Sequence, residues 1–183
     1  MKLCIFGAGA VGGHVAAKLA AAGEDVSVVA RGGHLEAIKR GGLTLLHGEK
    51  IIKGMVKASQ HPADLGPQDL VLVTLKANVL GAFADGAAPL LGPDTAVVFV
   101  QNGIPWWYAK DLARLDPGGK LARAIAPRRV IGGVAYSANE IVEPGVIKNY
   151  VPGNNMIVVG EPDRSSSQRI LALRKILEKA DLS

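Results

Sequence analysis

The fold is decided by "KLCIFGAGAVGGHVAAKLAAAGEDVSVVAR", residues 2–31. Its first residues, "KLCIF", form an apolar run suited to a short buried strand. A G-x-G-x-x-G pattern follows at Gly7, Gly9 and Gly12. Val11, Val15, Leu19 and Ala22 then recur at helical spacing, and Gly23 is the expected helix stop. "DVSVVA" supplies a second apolar strand. The stretch is one strand–turn–helix–strand unit, the setting in which the glycine spacing carries a mechanism. Gly7 permits the tight turn, Gly9 lets a pyrophosphate approach the backbone, and Gly12 lets the helix pack close to the strand. Gly7, Ala8, Gly9, Ala10, Val11 and Gly12 are therefore the candidate phosphate-binding segment. The helix N-terminus adds free N–H groups and a partial positive charge. The competing reading is a glycine-rich turn that binds nothing.

The end of the second strand selects the cofactor. Sites for NAD place an Asp or Glu there to accept hydrogen bonds from the adenosine ribose. Here that carboxylate is missing and Arg31 stands near its place. A guanidinium grips a 2′-phosphate bidentately, so the expected cofactor is NADP(H). The alternative is a solvated arginine at a strand end.

Downstream, "HLEAIKRG" suits a short helix and "GLTLLHGEKIIKGMVKA" a hairpin turning at "HGEK". "DLVLVTL" (69–75) and "TAVVFV" (95–100) are buried strands, with a helix of mediocre propensity, "NVLGAFADGAAPLL", between them. "RVIGGVAYSA", "GVIKNYV" and "NMIVVGEP" predict a β-rich antiparallel or mixed edge region rather than further βα units. Serines 165–167 cap a last helix whose Ile170, Leu173 and Leu177 share a face. The expected class is α/β: a Rossmann-type, doubly wound, mostly parallel sheet with a β-rich C-terminal edge.

Ligands in such sheets sit beyond the carboxyl ends of the strands. Lys76 follows "LVLVTL" at once, and Asn102 follows "VVFVQ" in the same way. With Arg31 they fall on one rim. Singly, Lys76 reads as a solubilising charge and Asn102 as a turn residue before Gly103. Their joint placement beside a dinucleotide turn favours a functional reading. Trp106 and Trp107 add apolar bulk next to Asn102; they either shape a substrate pocket or anchor the start of a helix to the sheet.

At this point the chain resembles the ketopantoate reductases (2-dehydropantoate 2-reductases). The resemblance rests on "GAGAVG" at 7–12, "VTLKA" at 73–77, "QNGI" at 101–104, and "GGVAYSA" at 132–138 ahead of "GVIKNYV". It runs over essentially the whole chain. It implies an NADPH-binding Rossmann domain in which Lys76 and Asn102 lie near the nicotinamide ribose. Asn102 would also approach the substrate, and Ala138 would touch the cofactor through its backbone. The implied reaction reduces the 2-keto group of ketopantoate to pantoate, a step towards pantothenate. The family continues into an all-helical domain carrying the catalytic lysine, a general acid, and most substrate contacts. The expected organisation is thus an NADP-binding domain over 1–165 and a terminal helix over 166–183 leading to a helical domain absent from this chain. No catalytic residue is expected within it; Lys175 and Lys179 do not match the family's motif.

Composition narrows the remaining classes. The 183 residues carry 21 Lys plus Arg against 16 Asp plus Glu, a formal net charge of +5 spread too thinly for a nucleic-acid partner. Cys4 is the single cysteine, which fits a cytoplasmic protein without internal disulfides. Glycines and His14 break the N-terminal apolar run, so neither a secretory signal nor a membrane span is expected. His14, His34, His47 and His61 lack metal-ligand spacing. The expected partner is a small-molecule 2-keto acid; apolar surface left bare would favour self-association, a homodimer at its simplest. The rival functions are a reductase for another 2-keto acid and a non-catalytic NADP(H)-sensing module.

Overall fold

Residues alternate across the first strand: Leu3 and Ile5 enter one apolar cluster, Cys4 and Phe6 another. A strand that buries both faces needs cover on both sides, and the chain supplies it. In this computed structural model, residues 1–108 and 113–183 are described. The strands are β1 (Lys2–Phe6), β2 (Asp25–Val29), β3 (Leu43–His47), β4 (Lys50–Gly54), β5 (Lys57–Ser59), β6 (Gln68–Val73), β7 (Leu91–Val100), β8 (Val130–Tyr136), β9 (Asn139–Glu143), β10 (Val146–Asn149) and β11 (Met156–Gly160). The helices are α1 (Ala10–Ala21), α2 (Gly32–Gly41), α3 (Gly81–Gly86), α4 (Lys120–Ala124) and α5 (Gln168–Lys179).

The main sheet has seven strands in the order β11-β8-β7-β6-β1-β2-β5. All its pairings are parallel except that of β11 with β8. This is the expected Rossmann-type architecture. The apolar cluster on one face takes in residues of α1, α2 and α5, and that on the other face residues of α3 and α4. On the latter, Phe83 sits edge-on to Phe6 and Phe99, with centroids 4.9 and 5.7 Å away. Burial pushes the Cys4 thiol up to about 12, leaving it an inert core residue. Among the described residues, no helix is long and apolar enough to cross a membrane.

The β-rich segments depart from a single edge region. "RVIGGVAYSA" extends the parallel sheet as β8, and only β11 returns antiparallel. The others build a second sheet, β4-β3-β10-β9, in which the expected hairpin β3–β4 pairs through β3 with β10 in parallel. This sheet covers the outer side of α1. The helix is consequently buried from Gly12 to Leu19 without a break, not only along the Val15–Leu19 stripe. Small residues permit the approach: a Cβ on Gly13 would lie 2.8 Å from Ile147 Cδ1, and one on Gly54 2.8 Å from Ala17 Cα.

The segment expected as one helix over 78–91 is instead a 3₁₀ turn (Ala77–Val79), the six-residue α3 and a second 3₁₀ turn (Ala88–Leu90). Gly81 and Gly86 cost backbone entropy in a helix, and Pro89 withholds an N–H. At the C-terminus, Ser167 Oγ accepts from Ile170 N–H as expected of a cap, and Ile170, Leu173 and Leu177 join the α1 core. Lys18, nearly buried on α1, donates to the carboxylate and carbonyl of Asp181, each at 2.6 Å. A helix beginning at the Trp106–Trp107 pair would fall on residues 109–112, outside the described residues.

Candidate functional site

The turn from β1 into α1 is tied down by backbone. Gly7 has φ +106°, a conformation that disfavours side chains, and the N–H groups of Gly7 and Ala8 both donate to Val29 O at 3.1 Å. Gly12 has no room for any side chain: a Cβ would stand 2.1 Å from Gly7 O and 2.4 Å from Thr74 Oγ1. Gly9 is the opposite, with nothing within 4 Å of its Cβ position. The first turn of α1 has no side-chain cap and no acidic residue. Among the described residues, the N–H groups of Ala10, Val11 and Gly12 find no partner. The open space at Gly9 and these free donors fit a bound phosphate group.

Gly7, Ala8 and Gly9 form one wall of a cavity of about 680 Å³ that also takes in Arg31, His34 and Asp85. Arg31 is exposed where the chain passes from β2 to α2, and among the described residues its guanidinium makes no hydrogen bond or ion pair. Asp85 is the single carboxylate lining this cavity among the described residues, and Lys120 Nζ approaches it at 3.3 Å. His34 Nδ1 accepts from Gly145 N–H at 3.0 Å. Burial lowers the pKa of the His34 ring, against a smaller opposing effect of the Ala8 backbone.

A second cavity, about 280 Å³, opens at the carboxyl ends of β6, β7 and β8 and is lined by Val11, Lys76, Asn102 and Ser137 among others. Leu75 lines both cavities, so they meet there in one cleft. Side chains holding backbone shape this end. Thr74 Oγ1 donates to Gly7 O at 2.6 Å, Gln101 Nε2 to Leu75 O at 3.0 Å, and Asn102 Nδ2 to Ala135 O at 3.3 Å. Lys76 is exposed and its ammonium has no acceptor among the described residues.

A cleft running from a glycine turn to the ends of three neighbouring strands invites comparison with known proteins. The family model described as "Ketopantoate reductase PanE/ApbA" matches residues 3–164. The chain belongs to that family. It is 45% identical over 192 residues to the 2-dehydropantoate 2-reductase of Mesorhizobium japonicum, covering 100% of this chain and 58% of that protein. The enzyme of the same name from Pyrococcus horikoshii is 30% identical, over 100% of this chain and 54% of its own length. A Geobacter metallireducens 2-dehydropantoate 2-reductase structure superposes with a TM-score of 0.84 at 30% identity, covering 100% of this chain and 56% of that one. The chain thus spans just over half the length of these ketopantoate reductases.

In this chain the predicted residues divide between the two ends of the cleft. Gly7, Ala8, Gly9 and Arg31 line the larger cavity, and Val11, Lys76 and Asn102 the smaller. Ala10 opens α1 and Gly12 is buried behind the turn. Ala138 is exposed and lines neither cavity; its carbonyl accepts from Tyr150 N–H at 2.9 Å. Trp106 and Trp107 stand apart from the Asn102 cavity. They pack against Phe99, centroids 5.4 Å away for each, and line a separate hollow of about 630 Å³ beside α4. Thr74, Gln101, His34 and Ser137 were missed by sequence reasoning. Thr74, Gln101 and Ser137 lie inside the quoted stretches "VTLKA", "QNGI" and "GGVAYSA" without having been given a role; for His34 no local signal existed.

Proposed function

We propose that this chain is the cofactor-binding part of an NADPH-dependent reductase acting on a 2-keto acid. The substrate is 2-dehydropantoate and the product pantoate, within pantothenate synthesis in the cytoplasm. The support is membership of the ketopantoate reductase family together with Arg31, a cation without a partner among the described residues, at the end of β2 where NAD sites carry an acid. In this reading the free N–H groups of α1 bind the pyrophosphate over Gly9, Arg31 holds the 2′-phosphate, and Lys76 and Asn102 orient the nicotinamide ribose, Asn102 also meeting the substrate. Ala138 contributes backbone. The bound dinucleotide supplies the hydride. The general acid and most substrate contacts belong to a helical domain beyond this chain, which itself divides into a cofactor domain over 1–165 and a terminal helix over 166–183. A lysine and an asparagine at the nicotinamide end favour this over a sensing module, which has no use for polar groups there.

Calorimetry of the chain with NADPH and NADH tests the reading. A charge-assisted phosphate contact contributes about 1.5–3 kcal/mol, or roughly 10- to 150-fold in affinity. Arg31→Ala is expected to weaken NADPH by that factor and leave NADH nearly unchanged. Equal losses for both cofactors would overturn the assignment of Arg31.

A further inference from the structure

Ser137 leaves the end of β8 and lines the smaller cavity. Behind it lie polar side chains withdrawn from water, Asn149 at 3% exposure and His14 at 1%. Their hydrogen-bond directions follow by elimination. The Ala138 carbonyl only accepts, so the Asn149 group 3.4 Å from it is the Nδ2 amide. That same Nδ2 donates to Asn139 Oδ1 at 2.7 Å. Asn139 must then turn its own Nδ2 the other way, where it donates to Ser137 Oγ at 2.8 Å and meets His14 Nδ1 at 3.3 Å. His14 Nδ1 is therefore the acceptor, and the ring proton sits on Nε2. Burial foremost, then the Lys18 charge, lowers His14 to about 4, so the ring stays neutral and keeps this role. Ser137 is left with an oxygen already accepting from Asn139 and a hydroxyl hydrogen to give. Its open side is the cavity shared with Lys76 and Asn102.

We propose that Ser137 donates its hydroxyl hydrogen to the carboxamide oxygen of the nicotinamide ring, with Asn149, Asn139 and His14 as positioning residues that set the direction of the bond. The inference rests on the dinucleotide reading above and deepens it. A dihydronicotinamide ring presents either face unless its carboxamide is anchored, and hydride transfer needs one face held towards the keto carbon. A serine whose hydrogen is aimed by a chain beginning at a backbone carbonyl provides such an anchor at little entropic cost.

The test is titration calorimetry of the chain with NADPH and with 2′-phospho-ADP-ribose, which lacks the nicotinamide. Ser137→Ala is expected to weaken NADPH about 5- to 10-fold, the loss of one hydrogen bond, and to leave 2′-phospho-ADP-ribose unchanged. Ser137→Thr keeps the hydroxyl and retains NADPH affinity. Asn139→Asp preserves shape but offers Ser137 an acceptor; the hydroxyl turns away from the cavity, and NADPH weakens as much as in Ser137→Ala. Unchanged NADPH affinity in Ser137→Ala, or an equal loss for both ligands, overturns the proposal. The first result would send the hydroxyl to the keto acid or to water; the second would make Ser137 a structural residue. Failure of the unsubstituted chain to bind either ligand would instead remove the dinucleotide reading itself.

Discussion

The two ends of the cleft are built differently. The glycine-turn end comes from one contiguous unit, β1 to Arg31, and its groups are mostly backbone: the φ of Gly7, the empty space at Gly9, and the first N–H groups of α1, which have no partner among the described residues. The other end is assembled from segments far apart in sequence, around Lys76, Asn102 and Ser137, and is held by side-chain hydrogen bonds to backbone and to each other. At Gly12 the backbone leaves no room for an added atom, whereas at Gly9 it leaves open space. Side-chain sites tolerate substitution but depend on the protonation and orientation of their supports.

The sharpest way to break this contrast is Gly12→Ala. The added Cβ would overlap the Gly7 carbonyl at 2.1 Å; the carbonyl is main chain and the Cβ is fixed by the main chain, so neither can rotate aside. Destabilisation of about 3 kcal/mol or more is expected, with dinucleotide binding lost together with the melting transition. A variant of wild-type stability that binds NADPH normally would show the turn to be more forgiving than its geometry.

A smaller effect is expected at the other end, from pH. His14 is held at about 4 in the folded chain against 6.5 in the open, with burial as the main cause. The unfolded chain then binds the extra proton first, so stability falls as pH drops from about 6.5 towards 4 and levels off below. A shift of this size corresponds to roughly 3 kcal/mol at most. His34 and His47, also lowered by burial, act in the same direction. His14→Gln retains an acceptor for Asn139 and is expected to flatten this part of the profile in denaturant titrations at stepped pH. An unchanged slope would mean that His14 is not the group being titrated.

The smallest effect sharpens the comparison where the two ends touch. Thr74 Oγ1 donates to Gly7 O, joining the end of β6 to the glycine turn. Gly7 O also accepts from Gly9 N–H at 2.8 Å, so it keeps a partner when Thr74 is lost. Thr74→Val should therefore cost about 1 kcal/mol in chemical denaturation, with only a few-fold loss of NADPH affinity. A larger loss of affinity than of stability would make Thr74 part of the binding site rather than a tie between its halves.

What could be read in advance follows the same division. The strand–turn–helix–strand unit, the parallel sheet and the rim positions of Arg31, Lys76 and Asn102 rest on local periodicity and on rules for the carboxyl ends of strands, and these operate within short windows. The helix of mediocre propensity expected over 78–91 breaks into two 3₁₀ turns and the short α3, because Gly81, Gly86 and Pro89 oppose a continuous helix. "GVIKNYV" forms β10 of a second sheet rather than part of the expected edge region, because strand partners are chosen by burial across the fold. Val146–Asn149 lies beside Leu43–His47 only because α1 needed a second cover.

The sequence by itself determined the fold class, the glycine turn and the cation at the end of β2, since each depends on backbone conformation or on residues adjacent in the chain. Only the tertiary structure decided that a second sheet buries α1 on all sides, and that His14, Asn139 and Asn149 converge behind Ser137. Hydrogen bonds between residues as far apart as His14 and Asn139 leave no periodicity in sequence. They arise because withdrawing polar groups from water obliges them to find one another.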